Sequence, residues 1–475
     1  MKRHTENSAP RSMNSRILHL AVPSILANIT VPLVGMVDIG VSGRLGNVAA
    51  IGAIAVGSML FDLLYWNFGF LRVGTGGLTA QAYGRKDLPG AMRYFVQGEA
   101  TALLSASFLI LIQWLFVEAA FLFIDCSAEV QELARKYFFI RIWDAPATLS
   151  LMVFKGWFIG MQNTVFPMAV DMTVNVVNLG MSIFLGLHTP LGFAGVALGT
   201  VIAQYTGLIL ASVLMLTHYG RLLRHVNIRQ HVKFRYMKSF YVLNANLFLR
   251  SLCFMLIYCG FTSLAAHYGD VQLAVSTIIM KLLMLYSYIL DGFAYAGEAL
   301  TGRYIGAQDR PSLNKAVRLL FTWTAGLAVI STVAYGVGGQ WMVSLMTTEA
   351  AVTAASKPYM IWLIIMPAFS CLAFMWDGIF IGATAARAIR NGMIWACASF
   401  YVCYFAFRGL MGIQALYMAY FAHLIARDIY MTVTARRQVF YRIPQACSHP
   451  TAPTPGQSAG HDEEPTQPLR NADRT

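Results

Sequence analysis

Twelve apolar runs, each about as long as a bilayer is thick, constrain this chain more than any other feature. A membrane-spanning helix needs roughly 20 predominantly apolar residues. Such runs occur at 17–42, 48–74, 93–123, 136–160, 164–187 and 192–217, and again at 238–266, 271–301, 314–339, 355–382, 389–408 and 411–434. Hydrocarbon offers backbone N–H and C=O groups no partner, so a run of this kind spans as a helix. The predicted fold class is an all-α polytopic membrane protein of twelve transmembrane helices. Composition agrees: 57% of the 475 residues are hydrophobic and 12% are charged, about half the charged fraction of an ordinary soluble domain.

The net charge of +13 does not point to nucleic acid, because the basic residues are spread over short loops. Even-numbered connections carry Arg85, Lys86 and Arg93; Arg221, Arg224, Arg229, Lys233, Arg235 and Lys238; Arg303, Arg310, Lys315 and Arg318; and Arg387 and Arg390. Odd-numbered loops carry few. By the positive-inside rule both termini are expected in the cytoplasm, and the expected location is the plasma membrane, a bacterial inner membrane. The connection near Gln162 is inside by count yet uncharged. The seven Cys show no metal-ligand spacing, and most lie in apolar runs as small buried hydrophobes.

The halves repeat. TAQAYGRKD (Thr79 to Asp87) ends the second span and TGRYIGAQD (Thr301 to Asp309) the eighth; KGWFIG (Lys155 to Gly160) ends the fourth and DGIFIG (Asp377 to Gly382) the tenth. Six spans is an even number, so both halves enter from one side and form a parallel repeat about an axis along the membrane normal, with a binding cavity between them. The predicted organisation is a cytoplasmic N-terminal segment (1–16), an N-lobe (17–220), a basic cytoplasmic linker (221–238), a C-lobe (239–436) and a polar, Pro-rich tail (437–475). The tail cannot bury enough apolar surface to fold and is expected to be disordered.

The residues that could carry chemistry are acids inside the spans. Asp291 and Glu298 are seven apart, so on a helix they share one face with Tyr295 between them. Small residues around them let another helix approach. An acid at the bilayer centre costs about 2.5–3.5 kcal/mol on insertion scales, so it is expected to face protein or a water-filled cavity. Either a transport-cavity wall or a polar network that only holds helices together fits that pattern. Asp38 is the one acid of the first span, less than two turns after Pro32, which removes a backbone hydrogen bond and allows bending. Asp377 carries a similar cost and needs a partner. Asn178 and Ser182 share a face of the fifth span, and Thr200 sits in the sixth; each alone is also an ordinary interhelical hydrogen-bonding residue. Asp62, Glu99, Asp144, Lys155, Arg250 and Lys281 are further intramembrane charges whose partners the sequence leaves open. No nucleotide-binding or nucleophile motif appears, so an enzyme is not expected, and transport would be driven by an ion gradient.

The stretches AVPSILANITVPLVGMVDIGVSGRLG, GTGGLTAQAYGRKD, NVVNLGMSIF with GFAGVALGTVIAQ, and YILDGFAYAGEALTGRYIGAQD resemble the multidrug and toxic compound extrusion (MATE) family, and within it the DNA-damage-inducible F branch. The resemblance covers nearly the whole chain except both tails. It implies two six-helix lobes in a V shape, and export of organic, often cationic and aromatic, compounds in exchange for H⁺ or Na⁺. By resemblance Asp38 matches the family's first-span acid, and Asn178 and Thr200 match polar residues around it. The family often has an acid four residues after that Asn, where this chain has Ser182. Asp291, Tyr295, Glu298 and Asp377 would form the C-lobe counterpart, with Na⁺ as one ion the acidic sites could take. No cofactor, no nucleic acid and a monomer in the bilayer are expected. The competing reading is a flippase of a lipid-linked saccharide on a related fold, whose anionic substrate would call for cavity cations such as Lys155, Arg250 and Lys281.

Overall fold

A computed structural model describes residues 12–43, 48–122, 124, 126–224, 234–347 and 349–443, without the side chains at 31–43, 48, 51 and 234–236. The expected N-terminal segment, basic linker and tail lie largely outside the described residues. Among the described residues twelve helical spans are present. Nine helices among the described residues are long and apolar enough to cross a membrane. The fourth and twelfth spans carry internal charges (Arg141, Asp144 and Lys155; Arg427 and Asp428), and half of the first lies outside the side-chain description. Large apolar residues face outward along these helices, among them Leu111, Val337 and Leu410, which is the surface a lipid-facing bundle needs.

Three spans are interrupted by single 3₁₀ turns. The second runs Val48–Trp66, turns at Asn67–Gly69 and resumes as Phe70–Gly84. The fourth breaks at Ile142–Asp144 just before Pro146, and the tenth at Lys357–Tyr359, which contains Pro358. The eighth span is one unbroken helix, Asp270–Gly306. The first, Met13–Gly43, is likewise continuous in its backbone through Pro23 and Pro32.

The repeat is visible in helix caps as well as in sequence. Lys86, Gln162, Gln308 and Thr384 all have positive φ, between 53° and 64°, and each sits two residues past a span-ending glycine. Each closes the same cap: Asp87 N–H donates to Ala82 O, Asn163 to Phe158 O, Asp309 to Tyr304 O and Ala385 to Phe380 O, the six-to-one bond of a Schellman motif. Gln308 follows Lys86, and Thr384 follows Gln162, by the same 222 residues. Asp87 and Asp309 then cap the next helices by accepting from Gly90 and Ser312 N–H, with Pro89 and Pro311 at the first turn.

The lobes converge at this glycine-bearing end, the apex of the V. A Cβ on Gly84 would meet the carbonyl oxygen of Arg303, and a Cβ on Gly306 that of Gln81. Those contacts exchange under the 222-residue offset, as a two-fold relation between lobes requires. Gln81 Nε2 donates across the seam to Gly382 O (3.0 Å) and Thr384 Oγ1 (3.1 Å), and Gln162 Nε2 to Ala299 O (2.7 Å). Each lobe keeps its own aromatic core, around Trp157 and Phe158 in one and Tyr417 and Phe261 in the other.

Candidate functional site

Just inside the seam, charged side chains from both lobes gather. Glu298 on the eighth span is 1% exposed and accepts from Arg72 on the second span (Nη1 to Oε2, 3.1 Å). The Arg72 guanidinium lies 4.4 Å from the centroid of the Tyr295 ring. One face of the eighth span, read three residues apart, therefore supplies both the counter-ion and the ring that hold an arginine of the other lobe. Asp291, one turn before Tyr295, is half-buried and lies within electrostatic range of Arg72, Arg250, Lys155 and Asp377.

The neighbouring charges are paired more fully. Asp377 Oδ2 accepts from Arg250 Nη2 (2.6 Å) and Arg427 Nη2 (2.7 Å), and Arg427 also donates to Ala373 O (2.8 Å). Lys155 Nζ donates to Asp171 Oδ2 at 2.6 Å. Asp428 lies within electrostatic range of Arg427 and Asp377. Among the described residues the network thus holds five acids (Asp171, Asp291, Glu298, Asp377 and Asp428) and four bases (Arg72, Lys155, Arg250 and Arg427). Glu298 Oε1, Asp377 Oδ1 and Asp428 Oδ1 are buried without a hydrogen-bond partner. One acid in surplus, with buried oxygens to spare, is an arrangement that can accept a cation or a proton.

Beyond this network, Trp66 of the second span meets Phe254 and Tyr258 of the seventh, with ring centroids 5.4 and 5.6 Å apart. Asp62 lies one turn earlier, within electrostatic range of Arg141 and Lys281, and Asp144 is held by Tyr65 and Arg141. Rings from the two lobes therefore meet one another close to a carboxylate.

In the N-lobe, Asn178 Nδ2 donates to Thr200 Oγ1 at 3.0 Å, and Ser182 is buried one turn on, against the backbone near Gly199. Asn175 Nδ2 donates to Thr30 Oγ1 (2.5 Å), tying the fifth span to the first. Asp38 lies in the first helix, but its side chain is outside the described residues. The structure thus brings Asn178 and Thr200 into contact and groups Asp291, Tyr295 and Glu298 with Asp377. Four members of the network, Arg72, Asp171, Arg427 and Asp428, were not singled out from sequence. Their signal was available: each is a charge in an apolar helix, as in GFLRVG and LIARDIYM.

The chain matches the MatE family over residues 23–184 and 247–424. It is 33% identical to DNA damage-inducible protein F of Escherichia coli over 90% of this chain and 93% of that protein. It is 27% identical to multidrug and toxin extrusion protein 1 of Homo sapiens over 66% of this chain and 55% of that protein. Its fold superposes on the MATE transporter VcmN of Vibrio cholerae in the bent form with a TM-score of 0.79 at 16% identity, covering 91% of this chain and 98% of that one.

Proposed function

The chain belongs to the MatE family of multidrug and toxic compound extrusion transporters, and from that premise we propose that it is a secondary active antiporter that exports organic, often cationic and aromatic, compounds in exchange for H⁺ or Na⁺. The observation that carries this reading is the Arg72–Glu298 pair, a buried ion pair that joins the two lobes inside a network with one acid in surplus. A proton or Na⁺ taken up at Glu298 neutralises the carboxylate, releases Arg72 and removes one of the bonds that hold the lobes together. Loss of the ion restores the pair and closes the seam. Coupling of this kind needs only that the ion binds the two arrangements differently.

The aromatic cluster supports the substrate class. Trp66, Phe254 and Tyr258 meet between the lobes, and their rings, with Asp62 nearby, are groups that suit a flat or cationic molecule once the lobes part. The cations of the network do not favour the flippase reading, because Arg72, Lys155, Arg250 and Arg427 face Glu298, Asp171 and Asp377 and Lys281 lies within electrostatic range of Asp62, so the site between the lobes itself offers a pyrophosphate little unpaired positive charge. With the positive-inside orientation, the seam end is cytoplasmic and the protein resides in a bacterial inner membrane.

The test is reconstitution in liposomes with a fluorescent organic cation. An imposed pH or Na⁺ gradient is expected to drive its movement, and Glu298→Gln to abolish the response while leaving insertion intact. Movement indifferent to both gradients would rule out ion-coupled antiport.

A further inference from the structure

A cavity of about 770 Å³ opens where the seventh, eleventh and twelfth spans end, away from the charge network. Three cations line it: Lys238 at the start of the seventh span, Arg387 in the first turn of the eleventh and Arg442 after the twelfth. Ser239, Asn246 and Thr384 add polar groups, and Val242 and Leu243 give it an apolar wall. Among the described residues no acid lines it, and neither Lys238 nor Arg387 has an acidic partner. Arg442 donates to Ala383 O and to Thr384 Oγ1, with the latter bond at 3.2 Å, which fixes its guanidinium at the rim.

The repeat shows what is special about this place. In the N-lobe the corresponding helix, Val165–Leu187, is capped: Asn163 Oδ1 accepts from the N–H groups of Val165 and Phe166 at 3.1 and 3.2 Å. At the 222-residue offset Asn163 becomes Ala385, and the eleventh span, Ala386–Met411, starts with no side-chain cap. Its first N–H groups carry the positive end of a long helix. One lobe thus satisfies this helix end internally, and the other leaves it in a roomy cavity with three cations.

We propose that this cavity binds a phosphate-bearing anion, either the headgroup of an anionic membrane lipid or a soluble phosphate. Lys238 and Arg387 neutralise it, and the uncapped helix start donates to its oxygens. The apolar wall and the position at helix ends suit a headgroup whose tails continue along Val242 into the bilayer. Thr384 lines the cavity and accepts from Gln81 of the other lobe, so an occupant also bears on the seam.

The experiment uses the full-length protein in neutral detergent, with thermal unfolding and native mass spectrometry as readouts. Phosphatidylglycerol, phosphatidylcholine and inorganic phosphate are titrated separately. Phosphatidylglycerol is expected to bind saturably and raise the melting temperature, phosphatidylcholine to do neither, and the Lys238→Gln/Arg387→Gln variant to weaken binding at least tenfold. Binding to wild type should also fall as salt screens the site, a measurement that stands even where the variant fails to fold. Inorganic phosphate that competes at equal effect would identify the soluble source. Binding by neither anion, a variant that binds as wild type does, or affinity indifferent to salt would overturn the proposal.

Discussion

Glu298→Gln is the sharpest perturbation of the proposed coupling. The amide keeps the shape of the side chain and deletes its charge, leaving Arg72 without its carboxylate beside Tyr295. Breaking a buried ion pair by removing one partner costs about 3–5 kcal/mol. Arg72 is 16% exposed and keeps its stacking on Tyr295, so about 2 kcal/mol is a reasonable share for the arrangement in which the lobes meet. At about 1.4 kcal/mol per factor of ten, the balance between seam-closed and seam-open forms should move roughly 30-fold towards open. Spin labels at Arg93→Cys and Lys315→Cys, repeat-equivalent sites at the seam end in a cysteine-free background, would report it as a longer distance population. Arg72→Gln should shift the same way, whereas Arg72→Met/Glu298→Met, which leaves no unpaired charge, should lie nearer wild type than either amide variant. An unchanged distance distribution in Glu298→Gln, in protein that still folds, would refute the latch.

Asp377→Asn is expected to act on stability before coupling, because it strands Arg250 and the almost fully buried Arg427; a loss of about 3–5 kcal/mol should appear as a lower melting temperature, partly restored by adding Arg250→Gln. Asp38→Asn should insert normally yet lose exchange against the ion gradient in liposomes, and wild-type exchange would show that coupling at Glu298 does not need Asp38. Lys86 has positive φ and an exposed side chain with no hydrogen bond or ion pair among the described residues. Lys86→Gly should therefore relieve about 1 kcal/mol and raise the melting temperature by a few degrees. Thr384→Gly should not, since it also deletes the bonds to Gln81 and Arg442. Cysteines placed in the linker 221–238 should react only from the cytoplasmic side, and labelling from outside would overturn the orientation.

Much of the architecture was determined along the chain itself. Apolar runs of bilayer length can only be helices, and the paired endings TAQAYGRKD and TGRYIGAQD encode the same glycine, left-handed cap and Asp-x-Pro restart in both halves. These are local properties: hydrogen bonds and φ angles are decided within a few residues. The shared face of Asp291, Tyr295 and Glu298 is local too, because a helix repeats on one side every seven residues. What only the tertiary structure decided is who neutralises whom. Arg72 and Glu298 are 226 residues apart and Arg250 and Asp377 127 apart, and nothing in one helix's periodicity says which side of a neighbour it meets. That choice is made by close approach between helices, as where Gly84 admits the backbone of Arg303. Asp377, whose cost in the sequence demands a partner without naming it, is thereby given two guanidinium partners. Among the described residues Glu298 is left with one hydrogen-bonding cation, Arg72 from the opposite lobe, while Arg250 acts on it only through space.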